Sequence, residues 1–329
     1  MLSVICPIYN EEKYISHCIE SILLQDYPKG DIEVLFVDGM SSDHTRQIVN
    51  DYAEEYPLIH LLNNPNKTVP YAMNIGIQAA KGDIIIRIDA HTIYEKNYFT
   101  TLCSHLIELK ADNVGTVCKT DVLNKNPKTL AIREVLSNKW GVGNSTFRIG
   151  IKDIQEVDTV PFGCWRSDVF NKYGYYDVRL VRNQDIELNK RIHRGGGKIY
   201  IIPDSFCTYL ARETFKGIAK NNYSNGKWNI LTVYYTNQLS SLSIRHFTPL
   251  FFLLSLLLPI IASIFYLPSL FLAFVSLLCY LLVLGIISMN LSINKKISFN
   301  YLFISFITLH FSYGLGSFIA LLKLPFIRK

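Results

Sequence analysis

The first 90 residues alternate between short apolar runs and longer stretches with helical periodicity. The apolar runs show little polar alternation, which is typical of strands buried on both faces of a parallel sheet. They occupy residues 2–6, 32–37, 58–62 and 84–88. Between them, apolar side chains recur at helical spacing, as in Ile15, Cys18, Ile19, Ile22 and Leu23. Four strand–helix alternations predict an α/β domain built on a parallel sheet with right-handed crossovers.

The last third of the chain has a different pattern, because three uncharged apolar stretches follow one another. They occupy residues 247–267, 269–289 and 301–322. Each is close to the roughly 20 residues that a helix needs to cross a bilayer. The preceding stretch, residues 213–246, interleaves aromatic side chains with lysines, which favours a helix in the membrane interface over an ordinary amphipathic helix docked on the domain. We therefore expect a first, α/β domain at residues 1–212, an amphipathic interfacial segment at 213–246, and a membrane region at 247–329 with two to three transmembrane helices.

Charge divides the chain near the same place. The last acidic residue is Glu213, so the following residues hold 9 of the 33 basic side chains and no acidic one. A region that is both basic and apolar favours binding to a membrane that contains anionic lipid. Its positive charges are sparse, which argues against nucleic acid as a partner. The seven cysteines form no C-x-x-C pair, which predicts reduced thiols that are mostly buried. No signal-peptide pattern precedes the first strand, so we expect the first domain to be cytoplasmic.

The basic residues leave the number of membrane crossings open. From a cytoplasmic first domain, Lys295 and Lys296 fall inside, as the positive-inside rule prefers. Three full crossings would leave Lys323, Arg328 and Lys329 outside, which that rule disfavours. Either the third apolar stretch is re-entrant or the short tail tolerates the mismatch.

The fourth strand ends in two polar groups one residue apart, Asp89 and His91. Alternation along an extended chain points both to the same side, at the strand ends where ligands of open α/β sheets bind. A carboxylate and an imidazole there can hold a divalent metal on a diphosphate, with an imidazole favouring Mn²⁺ over Mg²⁺. The alternative is that Asp89 caps a turn and His91 is a surface histidine.

Other polar groups also follow predicted strands or begin predicted helices. Asp38 ends the second strand and can accept a hydrogen bond from a uracil-type base, unless it only forms a turn. Asp185 begins a helix and is suited to be a general base, or simply a cap, with Glu187 as the fallback base. Phe162, Trp165 and Arg166 offer aromatic faces and a cation for sugar or phosphate recognition, and equally suit core and surface positions. The absence of G-x-G-x-x-G and of a P-loop motif argues against a dinucleotide or P-loop site.

Six stretches in order resemble the inverting family-two glycosyltransferases with the GT-A fold, and among them bacterial membrane-associated enzymes of exopolysaccharide synthesis of the succinoglycan type. The stretches are V-I-C-P-I-Y-N-E-E (4–12), V-D-G-M-S-S-D-H-T (37–45), N-P-N-K-T-V-P-Y-A-M-N-I-G-I (64–77), I-R-I-D-A-H (86–91), V-P-F-G-C-W-R (160–166) and N-Q-D-I-E-L (183–188). The resemblance implies a Rossmann-like nucleotide-sugar domain. It also implies that Pro7, Tyr9, Glu11 and Asp38 contact the nucleoside, Asp89 the ribose or metal, and His91 the metal, and that Asp185 is the base.

Three departures from that family pattern refine the prediction. The usual D-x-D has become D-A-H at residues 89–91, which retains a ligand but leaves the metal, Mn²⁺ or Mg²⁺, open. The usual Glu-Asp pair has become Gln184-Asp185, which retains the base. The Q-x-x-R-W motif of processive synthases is absent, and only Gly226, Lys227 and Trp228 lie near its position, so single sugar additions are expected.

The resulting hypothesis is a membrane-anchored, metal-dependent glycosyltransferase at the cytoplasmic face of the inner membrane. It would move a sugar from a nucleoside diphosphate, with UDP the first candidate, to a polyprenyl-linked saccharide. One alternative is a polyprenyl-phosphate glycosyltransferase, whose phosphate acceptor needs little deprotonation. The other is a membrane scaffold with a degenerate nucleotide domain, which predicts tolerance of substitutions at Asp89.

Overall fold

The computed structural model describes residues 1–327, so Arg328 and Lys329 of the predicted membrane region lie outside it. The strands are β1 (Leu2–Ile8), β2 (Ile32–Asp38), β3 (Ile59–Asn63), β4 (Ile84–Arg87), β5 (Thr92–Tyr94), β6 (Asn113–Asp121), β7 (Gln155–Glu156), β8 (Cys164–Arg166) and β9 (Ile199–Leu210). The helices are α1 (Ile15–Leu23), α2 (Thr45–Glu55), α3 (Val69–Ala79), α4 (Tyr98–Glu108), α5 (Pro127–Leu136), α6 (Lys139–Val142), α7 (Thr146–Ile149), α8 (Asp168–Tyr173), α9 (Gln184–Arg194), α10 (Phe215–Thr236), α11 (Thr248–Ala262), α12 (Ser269–Lys295) and α13 (Phe299–Lys323).

The sheet is mixed, with order β3-β2-β1-β4-β8-β6-β9-β5 and with β7 paired to β9. Its first four strands are parallel, which confirms the prediction from the apolar runs. Beyond β4 the pairing with β8 is antiparallel, a change of direction that the pattern did not indicate. β9 runs from Ile199 through Pro203 to Leu210. Pro203 lies between the residues that pair with β7 and those that pair with β5, so neither of those pairings requires its missing N–H.

Both faces of the parallel strands are buried, which explains their near-continuous apolar sequence. Alternate residues of β1 enter different cores. Val4 and Cys6 pack with Ile15 and Ile19 of α1 on one face, and Ile5 packs with α3 and α9 side chains on the other. This two-sided burial fixes the carboxyl ends of β1, β2 and β4 in one row, where the candidate site residues follow.

The chain divides into two compact units. The first consists of Met1–Lys119 and Thr146–Leu210 and contains most of the sheet with its two cores. The described part of the second consists of residues 120–145 and 211–327 and contains the long C-terminal helices. Three of its helical segments are long and apolar enough to cross a membrane: Ile244–Ala262, Ser269–Lys295 and Phe299–Phe326.

Candidate active site

A cleft opens at the carboxyl ends of β1 and β4 in the first unit. Five residues predicted from the sequence lie in its wall, namely Pro7, Tyr9, Glu11, Asp89 and His91. The lining also includes Asn64, Lys67, Thr68 and Val69, from the segment between β3 and α3 and from the first residue of α3. The structure therefore brings together side chains from three separate loops, as the rule for strand ends in α/β sheets predicts.

Asp89 is held in place by a buried cation. Arg87, at the end of β4, is 5% exposed and donates hydrogen bonds at 3.1 and 3.4 Å to the Oδ1 atom of Asp89. Burial disfavours the charge of Arg87, but the negative charges of Asp89 and Asp185 raise its pKa above the ordinary value. Because both bonds reach Oδ1, the ion pair orients the carboxylate while its Oδ2 atom carries no bond to Arg87.

The His91 ring is oriented by Glu11 and by two aromatic side chains. Its Nδ1 atom lies 3.4 Å from the Oε1 atom of Glu11. Tyr14 and Tyr209 contact the ring edge-on, at centroid separations of 6.5 and 5.2 Å. A carboxylate on one ring nitrogen is the usual arrangement for a metal-binding histidine, since it fixes the ring and its tautomer.

The donor set of the cleft fits a divalent metal that also binds phosphate oxygens. Within residues 1–327, no group of three or more His, Cys, Asp or Glu side chains forms a complete metal cage. Mg²⁺ and Mn²⁺ in nucleotide sites are commonly held by one or two protein ligands, with substrate phosphates and water filling the other positions. Asp89 and His91 on one wall provide such an incomplete set.

Asp38 is placed differently from the other predicted nucleoside contacts. Its side chain is fully buried, and its carboxylate accepts hydrogen bonds from the backbone N–H and hydroxyl of Ser41. Arg46 of α2 pairs with its Oδ2 atom at 2.6 Å. These bonds fix the turn after β2, and Asp38 is not among the residues that line the cleft.

Asp185 lies in the first turn of α9, after Asn183 in the left-handed conformation. Its Oδ1 atom accepts a hydrogen bond from the N–H of Ile186 at 2.9 Å, so it also caps its own helix. Burial raises the pKa of the neighbouring Tyr176 most, the Arg87 guanidinium lowers it, and the negative charge of Asp185 raises it. Asp185 is not among the residues that line the cleft, so its role as the base stays a prediction.

Glu187, the fallback base, is committed to an ion pair. Its carboxylate is 8% exposed and binds Arg191 through two hydrogen bonds, at 2.8 and 3.0 Å. Arg191 also donates to the carbonyls of Tyr173 and Tyr175, so the pair ties α9 to the end of α8. This arrangement favours a structural role for Glu187.

We predict that Glu187→Gln lowers the free energy of unfolding by about 2 kcal/mol, because Arg191 loses a charged partner. Chemical denaturation of the purified chain measures this change, and Glu54→Gln, at an exposed position of α2, is the matched control. Unchanged stability combined with lost sugar transfer would instead support the fallback-base role.

Phe162, Trp165 and Arg166, proposed from sequence for acceptor binding, lie away from the cleft wall. Trp165 is 1% exposed and packs against Phe170 and Tyr176. Phe162 is buried with a positive φ of 58°, and its ring faces Arg87 at 6.0 Å. Arg166 pairs with exposed Asp168 at 3.3 Å and lies 3.8 Å from Asp112. Their surroundings match the core and surface alternatives for these residues.

Sequence reasoning missed Lys67 as a site residue. It lies exposed in the cleft wall with a positive φ of 63° and forms no ion pair within residues 1–327. A lysine that lines the same cleft as a carboxylate and a histidine is suited to bind phosphate oxygens. The available signal was its position in the stretch N-P-N-K-T, directly after the third predicted strand.

Curated relatives cover about two thirds of the chain. A Methanococcus voltae protein named dolichyl N-acetyl-alpha-D-glucosaminyl phosphate 3-beta-D-2,3-diacetamido-2,3-dideoxy-beta-D-glucuronosyltransferase is 28% identical over 230 residues, which is 68% of this chain and 71% of that protein. The succinoglycan biosynthesis protein ExoA of Rhizobium meliloti (strain 1021) is 28% identical over 211 residues, which is 64% of this chain and 63% of ExoA.

Solved structures share the fold. The mannosyltransferase PcManGT from Pyrobaculum calidifontis, in complex with GDP-Man and Mn²⁺, matches 98% of this chain and 87% of its own with a TM-score of 0.62 at 16% identity. S. aureus TarS 1-349 in complex with UDP-GlcNAc matches 96% of this chain and 90% of its own with a TM-score of 0.53 at 16% identity. These similarities establish a GT-A-like fold, as predicted.

The family model described as glycosyl transferase family 2 matches residues 3–174, which span β1 to α8 and all residues that line the cleft. The match, the relatives and the fold agree with the resemblance that the six sequence stretches indicate. The chain belongs to glycosyl transferase family 2, and it is a glycosyltransferase.

Proposed function

We propose that this glycosyltransferase moves a sugar from a nucleoside diphosphate, with UDP the first donor to test, to a lipid-linked saccharide at a membrane. The transfer inverts the anomeric carbon and adds one sugar at a time, in the synthesis of an exopolysaccharide or another cell-surface glycan. The catalytic domain acts at the cytoplasmic face of the inner membrane.

One observation carries this proposal: Asp89, His91 and Lys67 converge on a single cleft at the ends of β1 and β4. Together they would provide two metal ligands and a cation, a combination that matches a diphosphate in charge. Pro7 and Tyr9 in the same wall provide apolar surface for the nucleoside.

Asp185, Lys67 and Arg87 have separate roles in the proposed transfer. Asp185 accepts the proton of the acceptor hydroxyl while that oxygen attacks the sugar carbon. Lys67 binds phosphate oxygens, and Arg87 keeps Asp89 oriented toward the cleft. Bound between Asp89 and His91, a divalent metal, Mn²⁺ or Mg²⁺, would neutralise charge on the leaving nucleoside diphosphate.

A lipid-linked acceptor is supported by the apolar helices and by one relative. Three helical segments of the second unit have the length and hydropathy of membrane spans. The Methanococcus voltae relative is named for a dolichyl phosphate-linked sugar, and ExoA is named for succinoglycan biosynthesis. An acceptor held in a bilayer has to be met at the bilayer surface, which membrane-associated helices achieve.

We expect the purified chain in detergent to release nucleoside diphosphate from one member of a panel of UDP-, GDP- and TDP-sugars. Release should require Mn²⁺ or Mg²⁺, stop with chelator and increase when a lipid extract supplies the acceptor. Chromatography of the nucleotide products identifies the donor. If no donor is consumed with any metal in the presence of acceptor lipid, the proposed donor class is wrong.

A further inference from the structure

The polar helix α10 and the apolar helix α13 run side by side in the same direction. Near their starts, the rings of Phe215 and Tyr301 lie 6.3 Å apart. Near their ends, the Tyr234 hydroxyl donates to the carbonyl of Ile327 at 2.7 Å. Whatever direction α13 takes in a membrane, α10 takes it too.

The contact between these helices is too close to be incidental. A Cβ atom on Gly226 of α10 would lie 2.0 Å from the Tyr313 carbonyl oxygen, and one on Gly316 of α13 would lie 2.0 Å from the Tyr223 carbonyl oxygen. Ser317 donates to the Gly226 carbonyl at 3.0 Å. Glycines that let two backbones approach this closely fix the pair as one unit.

The outer surface of α10 is too polar for the hydrocarbon core of a membrane. Lys216, Lys220 and Lys227 are all exposed, and their spacings of four and seven residues bring them to the same helix face. Each lysine at the centre of a bilayer costs about 3 kcal/mol. A transmembrane α13 would carry this lysine face into the bilayer, whereas a position in the interface leaves the lysines at the headgroups.

The start of α13 is also covered by a charged helix. Leu302 and Phe306 pack against Ala131 and Val135 of α5. On the same helix α5, buried Glu134 pairs with Lys295 at the end of α12, at 2.8 and 2.9 Å. The end of α12 and the start of α13 therefore lie against a polar helix of the same unit.

The α11–α12 hairpin is apolar and uncharged enough to lie in the hydrocarbon core of a membrane. Its tip, residues 263–268, is uncharged, and Phe265 there is 90% exposed. Its two mid-hairpin hydroxyls, Ser255 and Ser276, bond each other at 2.7 Å, which satisfies them without water.

The first helix of the hairpin is short. α11 has 15 residues, from Thr248 to Ala262, and its Leu253 lies against Gly314 of α13. At 1.5 Å per residue α11 covers about 22 Å, less than a ~30 Å hydrocarbon core.

From these contacts we propose that the chain enters the bilayer from one face only. The α11–α12 hairpin dips into the hydrocarbon and returns, while α10 and α13 lie together in the interface against anionic lipid headgroups. Residue 327 then lies on the face where α10 begins. The inference rests on the membrane association proposed above and fixes its topology.

Charge along the chain agrees with a single face. Residues 246–294, which form the hairpin, contain no charged side chain, and every basic residue after Glu213 lies outside them. None of these positive charges has to cross the membrane. Anionic headgroups attract each nearby lysine by about 1 kcal/mol.

Cysteine accessibility tests the topology in the full chain. Six of the seven cysteines are buried and Cys279 is exposed, so the Cys279→Ser variant should react little with maleimide. Single cysteines are then introduced by Lys125→Cys as reference, Phe265→Cys at the tip and Lys323→Cys at the end of α13. A membrane-impermeant maleimide is applied to intact cells and to inside-out vesicles, with and without detergent.

We expect Lys125→Cys and Lys323→Cys to react in the same preparation, and Phe265→Cys to react in neither until detergent is added. Reaction of Lys323→Cys or Phe265→Cys only in the opposite preparation would overturn the inference. Ile264→Cys, also fully outward at 77% exposure, replaces Phe265→Cys if the latter does not accumulate. If carbonate extracts the unmodified chain from the membrane, the proposed membrane association is wrong, and the topology that rests on it is wrong as well.

Discussion

Asp89→Asn is expected to lower the kcat/KM for sugar transfer by roughly 10³-fold. Loss of this proposed metal ligand would remove about 4 kcal/mol of charge stabilisation from the leaving diphosphate, and each 1.36 kcal/mol is a factor of ten. The Asn variant should also need more metal for half-maximal activity. Steady-state kinetics across a series of Mn²⁺ and Mg²⁺ concentrations measures both changes.

The buried Arg87 complicates this substitution, because Asn leaves its guanidinium without a charged partner. Loss of one member of a buried pair costs about 3 kcal/mol of folding stability. His91→Ala avoids the problem, since it removes a proposed ligand and preserves the Asp89–Arg87 pair. Asp83→Asn, at an exposed position just before the same strand, is the control for any charge change.

We expect His91→Ala to shift the metal requirement with little loss of stability, and Asp83→Asn to behave like the unmodified chain. Normal metal dependence in both Asp89→Asn and His91→Ala, with transfer intact, would mean that neither side chain holds the metal. Thermal unfolding of each variant separates a folding defect from a catalytic one.

The sequence predicted the part of the site that strand geometry determines. Pro7, Tyr9, Asp89 and His91 each follow a short apolar run, and parallel strands bring their carboxyl ends to one edge of the sheet. Local pattern was sufficient there, because burial on both faces fixes which strand ends are neighbours. Arg87 was concealed inside the apolar run, where a charged side chain needs a partner that only the fold identifies.

Other residues depend on partners that are distant in sequence or have no periodic signal. The burial of Asp38 depends on Arg46, which α2 brings back over the turn. Glu187 forms an ion pair with Arg191 four residues later on the same helix. In the sequence, a glutamate in such a pair looks the same as a glutamate that acts as a base beside an acceptor. The course of α13 could not be predicted either, because an apolar helix beside α10 has the same composition as one that crosses a bilayer.

The chemistry of the acceptor is the remaining question, and Asp185 distinguishes the two possibilities. An acceptor hydroxyl must lose its proton as its oxygen attacks, so it needs a base. A polyprenyl phosphate is already ionised and needs little help. The proposed role of Asp185 as the base corresponds to the first possibility.

Asp185→Asn is expected to reduce kcat for a saccharide acceptor by roughly 10³-fold, the contribution of a positioned general base. The KM for the donor should change little, because Asn retains the shape of the side chain and can still accept the hydrogen bond from Ile186. Transfer from the labelled donor to extracted lipid-linked saccharides, followed over time at saturating donor, measures the loss in kcat.

The matched control is Asp168→Asn, which alters an aspartate in the first turn of α8. It loses the same helix-dipole interaction, worth about 0.5 kcal/mol, without touching the cleft. If both variants lose the same small fraction of activity, Asp185 is only a cap. If the Asp185→Asn variant still consumes donor and retains full transfer to a polyprenyl phosphate, the acceptor is the lipid phosphate itself. A large loss confined to Asp185→Asn, with donor affinity intact, identifies a hydroxyl acceptor, because only that acceptor has a proton that must be removed.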